Sequence, residues 1–136
     1  MKFYRGRLID HLHLHSADVE ASRKFYRAAL AALDPDIEIL EGPDYFAFDE
    51  LWIDADTSHG KPAPVHIAFQ ATDQDAVDRF YAAAMKAGGR DNGAPGIRHY
   101  HPGYYAAFVF DPDGNNVEAV FHGPAKRSPA SVEIEA

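Results

Sequence analysis

The chain has 136 residues, of which 46% are hydrophobic and 25% charged, so it can form one domain with a core, and extended disorder is excluded. Its formal net charge is −8, which argues against the clustered basic residues that bind nucleic acid or anionic membranes. Cysteine is absent, so disulfides, thiolate metal sites and cysteine nucleophiles are excluded. No apolar run approaches the roughly 20 residues that span a bilayer, and the basic N-terminus lacks the apolar stretch of a secretion signal. We expect a soluble, cytoplasmic protein.

The first predicted strand carries three histidines on one face. Residues 8–15 alternate between apolar and polar side chains, which is typical of a half-buried strand. The alternation places two leucines on one face and His11, His13 and His15 on the other.

A helix is predicted to follow this strand. Asp18 suits the N-cap, apolar side chains then recur every three or four residues, and Asp34 and Pro35 end the helix. Short strands separated by turns are predicted next, at residues 37–40, 46–48 and 51–54.

The chain repeats this unit 55 residues later. Residues 9–33 align without a gap with residues 64–88, and eight of the 25 aligned pairs are identical, including His11 with His66. Self-similarity on this scale indicates two copies of one supersecondary unit.

The second copy repeats the same elements. A strand is predicted over residues 65–70, and a helix begins at Asp73 and ends at Gly88. Strands are predicted over 104–110 and 116–121, on either side of the Asp-Pro-Asp-Gly turn, and a less regular strand near 98–101.

The sequence therefore predicts an α+β protein made of two βαβββ modules within one domain over residues 1–136. The modules cover about 8–55 and about 64–122, and residues 123–136 are expected to form a loose tail.

The duplication indicates a metal site. Related modules usually pack about a pseudo-twofold axis, which would bring the matched residues His11 and His66 to facing positions. Glu118 lies within an apolar strand, where an unpaired carboxylate would be costly. Two imidazoles and this carboxylate would form a good divalent-metal site.

A second arrangement of ligands stays open at this point. Alternate residues on a strand lie roughly 6.6 Å apart, so the His-x-His spacing of His11, His13 and His15 also allows convergence on one metal. That alternative would leave the match between His11 and His66 unexplained. We favour a role for His13 beside the ligands or facing substrate, and assign no role to His15.

The segment over residues 96–105 is rich in groups that donate, accept or move protons. His101 could act as a general acid or base near neutral pH, and Arg98 could hold a carboxylate or phosphate. Tyr104 or Tyr105 could donate a hydrogen bond to an oxygen at the metal. A tyrosine-rich loop that packs on the sheet or on a second subunit is equally consistent with the pattern.

Three sequence stretches resemble those of the vicinal-oxygen-chelate superfamily, which includes glyoxalase I, bleomycin resistance proteins, extradiol dioxygenases and fosfomycin resistance thiol transferases. They are Ile9-Asp10-His11-Leu12 with Asp18 and Phe25-Tyr26 after it, Val65-His66-Ile67-Ala68-Phe69, and Asp111-Pro112-Asp113-Gly114-Asn115-Asn116-Val117-Glu118. The resemblance covers about residues 8–122 and implies paired βαβββ modules, a small-molecule substrate and a homodimer. In metal-binding members of the superfamily, the matching positions are ligands, and here they are His11, His66 and Glu118.

One position departs from glyoxalase I. A fourth ligand would fall near Trp52 or Ile53, or at Asp54 if the register slips by one residue. An apolar residue there leaves an open His, His, Glu set, which suits Fe(II) or Mn(II) with a bidentate oxygen substrate, and Zn(II) or Ni(II) also remain candidates. Trp52 is otherwise expected to form part of the pocket wall.

The expected activity is that of a lyase or isomerase of glyoxalase type, or of a ring-cleaving dioxygenase. The alternatives are a metal-free binding protein of the bleomycin resistance kind and a fosfomycin-type thiol transferase. The second alternative needs a basic pocket, which the net charge of −8 does not favour. The sequence leaves open whether the modules pair within one chain or by exchange between chains.

Overall fold

Each module folds as a four-stranded mixed sheet with a helix on one face, as predicted. The computed structural model describes residues 2–5, 8–124, 126 and 132–135. The elements in chain order are β1 (Lys2–Arg5), β2 (Leu12–His15), α1 (Val19–Leu33), β3 (Leu40–Gly42), β4 (Tyr45–Phe48), β5 (Leu51–Asp54), β6 (His66–Gln70), α2 (Gln74–Lys86), β7 (Arg90–Ile97), β8 (Tyr105–Phe110), β9 (Asn116–Phe121) and β10 (Val132–Glu135).

The two sheets have the same topology. The first has the strand order β2-β5-β4-β3 and the second β6-β9-β8-β7. In each, the strand before the helix pairs in parallel with the last strand of the module, and the other pairs are antiparallel. This correspondence confirms the α+β architecture with two βαβββ modules.

Aspartates begin both helices, as the sequence predicts. The Asp18 carboxylate accepts a hydrogen bond from the backbone N–H of Ala21 at 3.1 Å, and Asp73 accepts one from Ala76 at 2.7 Å. Each bond satisfies an N–H group that has no partner within the helix. After α2, Gly88 has a φ of +101°, a conformation that side chains disfavour, and it turns the chain into β7.

One hydrophobic core covers the helix-facing sides of both sheets. α1 packs against α2, and the core joins side chains from both helices and both sheets. The largest of them are Phe25, Tyr26, Phe46, Ile53, Val77, Phe80, Val109 and Val117. The helices cover one side of each sheet. The opposite side, which the helices do not cover, is called here the cleft face.

Polar contacts from the β8–β9 turn connect the two modules. Asp113 accepts hydrogen bonds from the hydroxyl of Ser16 at 2.6 Å and the backbone N–H of Ala17 at 2.8 Å. Asp111 accepts one from the hydroxyl of the buried Tyr26 at 2.6 Å. Burial, together with the charge and hydrogen bond of Asp111, raises the pKa of Tyr26 well above its ordinary value.

The predicted strand near residues 98–101 is wrong in position. The strand that completes the second sheet is β7, and it ends before Arg98. β7 pairs with β8 through register shifts around Gly93, whose φ is +149°. These irregularities allow a glycine- and proline-containing segment to pair as a sheet edge.

The expectation of a loose C-terminal tail differs from the structure at residues 132–135. These residues form β10, which pairs antiparallel with β1 at the other end of the chain. The remainder of the predicted tail lies partly outside the described residues. No helix in the described part of the chain is long and apolar enough to cross a membrane.

Candidate functional site

The cleft face of the second sheet carries Glu118. In the pairing of β9 with its neighbours, Glu118 lies opposite Ala68 on β6 and Phe108 on β8. Val117 and Ala119 belong to the core, so the intervening Glu118 points to the other side of the sheet.

Two of the predicted site residues contact the Glu118 carboxylate. The Glu118 side chain is 3% exposed, His66 Nε2 lies 2.9 Å from Glu118 Oε1, and the Tyr104 hydroxyl donates a hydrogen bond to Glu118 Oε2. Burial of Tyr104, together with the hydrogen bond and charge of Glu118, raises the pKa of Tyr104 well above its ordinary value. Tyr104 therefore remains a protonated donor at neutral pH.

Two histidines stand beside Tyr104. The rings of His101 and His122 stack at 5.1 Å, and His101 Nε2 lies 2.9 Å from His122 Nδ1. Both rings meet the Tyr104 ring edge-on, at 5.3 Å for His101 and 5.4 Å for His122. From the sequence, His122 has no expected role beyond the surface; its position four residues after Glu118, on the same face of the strand, was the available signal.

The structure places Arg98 near this group and Tyr105 away from it. The Arg98 guanidinium lies 5.4 Å from the centre of the Phe108 ring, on the side of the sheet that carries Glu118. Tyr105 faces α2, where its hydroxyl donates to Asp78 at 2.6 Å. Adjacent residues of a strand point to opposite faces, so Tyr105, expected from the sequence to be catalytic, lies on the helix side of the sheet and not beside Glu118.

The cleft face of the first sheet borders an open cleft of about 880 Å³. Its described lining is Asp10, His11, His13, Glu38, Ile39, Leu40, Ala47, Asp49, Glu50, Leu51 and Trp52. The Trp52 ring, which belongs to this lining, stacks on Tyr45 with 4.9 Å between ring centres. Both rings also line a second, smaller cleft, together with Asp44, Asp54, Ala55 and Asp56.

The structure shows His11 in this first cleft and not beside Glu118. His11 Nδ1 lies 2.7 Å from Asp10 Oδ1, and the His11 side chain is 66% exposed. The cleft lining includes first-module residues only, whereas His66 and Glu118 lie on the second sheet. One chain therefore contains the predicted ligands as two separate groups.

The strand register identifies the first-module counterpart of Glu118. The 55-residue repeat matches His13 with Ala68, His13 lies opposite Trp52, and Ala68 lies opposite Glu118. Trp52 thus occupies the position of a fourth carboxylate, and Asp54 lies two residues further along β5. The predicted ligand set consequently stays open.

Asp54 instead lies between two histidines. Asp54 Oδ2 is 2.7 Å from His13 Nε2, and Asp54 Oδ1 is 2.7 Å from His15 Nδ1. Burial raises the pKa of Asp54, but hydrogen bonds from His15, from the backbone N–H of Asp56 and from His13 outweigh this effect and lower it below its ordinary value. From the sequence, Asp54 was expected only as a possible fourth ligand beside His11, His66 and Glu118, and not as a partner of His13 and His15.

Comparison with known proteins finds a matching family and similar solved structures. The model of the glyoxalase/bleomycin resistance protein/dioxygenase superfamily matches residues 50–119. A glyoxalase/bleomycin resistance protein from Albidiferax ferrireducens has a similar structure, with 28% identity, a TM-score of 0.67, and coverage of 81% of this chain and 94% of that chain. No curated protein matches the sequence.

Two further solved structures share the fold. The lactoylglutathione lyase of Agrobacterium tumefaciens is 22% identical with a TM-score of 0.61, covering 81% of this chain and 90% of that one. A fosfomycin resistance protein of Mesorhizobium loti is 18% identical with a TM-score of 0.61, covering 84% of this chain and 91% of that one. At these identities the likeness concerns the fold alone.

Proposed function

Because this chain belongs to the glyoxalase/bleomycin resistance protein/dioxygenase superfamily, we propose that it is a metal-dependent enzyme that binds a small substrate through two neighbouring oxygen atoms. The observation that carries the proposal is the Glu118 carboxylate, which is 3% exposed and 2.9 Å from His66. A buried carboxylate is costly without a cationic or hydrogen-bonding partner.

The residues fit a divalent metal. His66 Nε2 and Glu118 Oε1 are close enough for one cation to replace the proton between them, since metal binding competes with protons for such ligands. With His11 they make a set of two imidazoles and one carboxylate, which suits Fe(II), Mn(II), Zn(II) or Ni(II). Trp52 at the position of a fourth carboxylate leaves room for a bidentate substrate.

We propose that a homodimer completes the site. His11 lies in a cleft lined by its own module, so a second copy of the chain is needed to bring His11 to His66 and Glu118. Leu40 in the same cleft is 58% exposed, and Leu12 beside His11 is 38% exposed. Covering such apolar surface favours association.

The surrounding side chains have distinct roles in this proposal. A bound metal would act as a Lewis acid toward both substrate oxygens. Tyr104 would donate a hydrogen bond to an oxygen of the substrate or hold Glu118 in place, and His101 would accept or return a proton. Arg98 would contact the substrate and Trp52 would form an aromatic wall, whereas His13, expected from the sequence to face substrate, is engaged with Asp54.

The open ligand set favours one reaction class over the other. Two histidines and one carboxylate with free positions are typical of non-haem Fe(II) oxygenases, and the Trp52 ring suits an aromatic substrate. Ring cleavage of a catechol-like compound, with O2 as the oxidant and both of its oxygen atoms entering the product, is therefore proposed ahead of a lyase or isomerase reaction of glyoxalase type. The acidic lining of the first cleft gives no support to a phosphonate substrate.

One observation favours a second candidate function, metal-free binding of a small molecule. Glu118 already accepts hydrogen bonds from Tyr104 and contacts His66, so the carboxylate has polar partners without a cation. A binding protein of the bleomycin resistance kind would use the same clefts without chemistry.

Elemental analysis of tag-free protein distinguishes the two functions. We expect purified protein to carry stoichiometric metal, and His66→Ala to lose it at this site because an imidazole ligand is removed. His59→Ala, which removes an exposed histidine outside the site, serves as the matched control.

Turnover is then screened with catechols, 2-oxoaldehyde–thiol adducts and fosfomycin. Absence of metal together with unchanged ligand affinity in His11→Ala would support sequestration and contradict the enzyme.

A further inference from the structure

His13, His15 and Asp54 form a compact group on the cleft face of the first module. Among the described residues, these three contribute ligand atoms that all lie within 4.8 Å of one another. Each carboxylate oxygen of Asp54 lies 2.7 Å from a nitrogen of a different imidazole. We propose that these side chains form a second transition-metal site, separate from the proposed catalytic site and complete within one chain.

The sheet positions all three ligands before any cation binds. β2 and β5 pair in parallel, with His15 opposite Asp54 and His13 two residues earlier on β2. Residues two apart on a strand share a face, so the three side chains project to the same side. Ligands held by paired strands lose less conformational freedom on binding than ligands on a flexible loop, which favours affinity.

The second module supplies an internal comparison. There, His66 stands two residues before the residue opposite Glu118, and His66 Nε2 lies 2.9 Å from the carboxylate. His13 has the same relation to Asp54, at 2.7 Å, one pleat further along its sheet. His15, the residue opposite Asp54, adds a second imidazole, whereas the residue opposite Glu118 in the second module is Ala68. The first module therefore has a more complete ligand set within one chain than the second.

The electrostatic surroundings favour a cation. The two clefts beside this group are lined by seven carboxylates besides histidines and apolar side chains, and their described linings contain no Lys or Arg. The carboxylates are Asp10, Glu38, Asp49, Glu50, Asp44, Asp54 and Asp56. Negative surroundings attract cations and repel anionic ligands.

The donor types select the class of cation. Two imidazoles with one carboxylate suit Zn²⁺ and neighbouring transition metals, whereas Ca²⁺ and Mg²⁺ prefer sites made of oxygen ligands. Three protein ligands also leave an open position for water or a small ligand. In the metal-free protein, a ring proton lies between each imidazole and Asp54, and the cation would take the place of both protons.

Zinc titration by calorimetry on tag-free His66→Ala protein tests this site, because that background removes the proposed catalytic metal. We expect one Zn²⁺ per chain. Changing a residue that only orients a ligand already weakens metal binding about 10- to 100-fold, so loss of a ligand in His15→Ala or Asp54→Asn should weaken it at least about tenfold.

Matched variants control for charge and for histidine content. Asp36→Asn removes the same charge as Asp54→Asn from an exposed residue that lines neither cleft, and His59→Ala removes an exposed histidine. Both should bind Zn²⁺ with the affinity of the background. Asp54 also accepts a hydrogen bond from the backbone N–H of Asp56 at 3.0 Å, so His15→Ala is the variant that leaves this turn intact.

Zinc should also raise the thermal unfolding midpoint of the background, but not that of the His15→Ala variant, since a ligand that binds only the folded state stabilises it. Equal zinc affinity in His15→Ala, Asp54→Asn and the two controls would overturn the second site. That result would leave the catalytic site untouched, because its metal depends on His66 and Glu118. Conversely, if the His66→Ala change removed the catalytic metal, that result would test the catalytic site and would say nothing about the second site.

Discussion

Glu118→Gln protein should lose the catalytic metal and its turnover while keeping its fold. Glutamine has the shape of glutamate and can still accept the hydrogen bond from Tyr104, but it lacks the negative charge that a divalent cation requires. Because changes beside a ligand already reduce metal affinity by about 10- to 100-fold, we expect a loss at the upper end of this range or beyond it.

Metal content, turnover and the thermal unfolding midpoint check this prediction together. Glu38→Gln removes the same charge from the lining of the first cleft without touching the proposed ligands, so its metal content should equal that of the wild type. If Glu118→Gln retained stoichiometric metal at this site, or full turnover, Glu118 would not be a ligand.

The largest effect on stability is expected at Asp111. This buried carboxylate accepts hydrogen bonds from the hydroxyl of Tyr26 at 2.6 Å and from the side-chain and backbone N–H groups of Asn115, both at 2.8 Å. In Asp111→Ala these buried donors lose their acceptor, and we expect the free energy of unfolding to fall by about 3–5 kcal/mol, a loss typical of a broken buried polar network.

A double-mutant cycle with Tyr26→Phe separates this cause from a general loss of packing. Tyr26→Phe alone should cost about 1–3 kcal/mol, because Asp111 loses a donor. In the Asp111→Ala background the same change should cost much less, since it removes a hydroxyl that already lacks its acceptor. Urea unfolding of the four proteins measures the coupling, and strictly additive losses would contradict the proposed network.

The repeat made most of the fold predictable. Both helices begin at the predicted aspartates, and the strands at Leu51–Asp54 and Asn116–Phe121 have the predicted bounds. These elements combine a clear apolar period with a capping residue or a strong turn. Local chemistry alone is sufficient to specify such elements.

Elements that depend on distant partners were not predictable. β7 contains Gly93 and Gly96, which indicate a loop until β8 supplies hydrogen bonds along an irregular edge. β10 is four residues long, and its partner β1 lies at the opposite end of the chain. Neither partner can be inferred from the local sequence.

The same limit applies to the site. Alternation placed histidines 11, 13 and 15 on one face, but only the register of β2 with β5 shows that Asp54 lies beside two of them. The choice between Tyr104 and Tyr105 likewise required the register of β8 with β9, which places Phe108 opposite Glu118. A shift of one residue would have reversed that choice.

Mixing two inactive variants tests most directly whether the catalytic metal is held between two chains. His11→Ala and His66→Ala chains, both carrying His15→Ala so that the second site does not contribute, should each lack the metal alone. After dissociation and reassociation at equal amounts, half of the dimers are mixed and each has one site with both histidines. We therefore expect about one quarter of the metal and turnover of the His15→Ala protein to return. No recovery on mixing, or full metal content in either variant alone, would contradict a site shared by His11, His66 and Glu118 across a dimer.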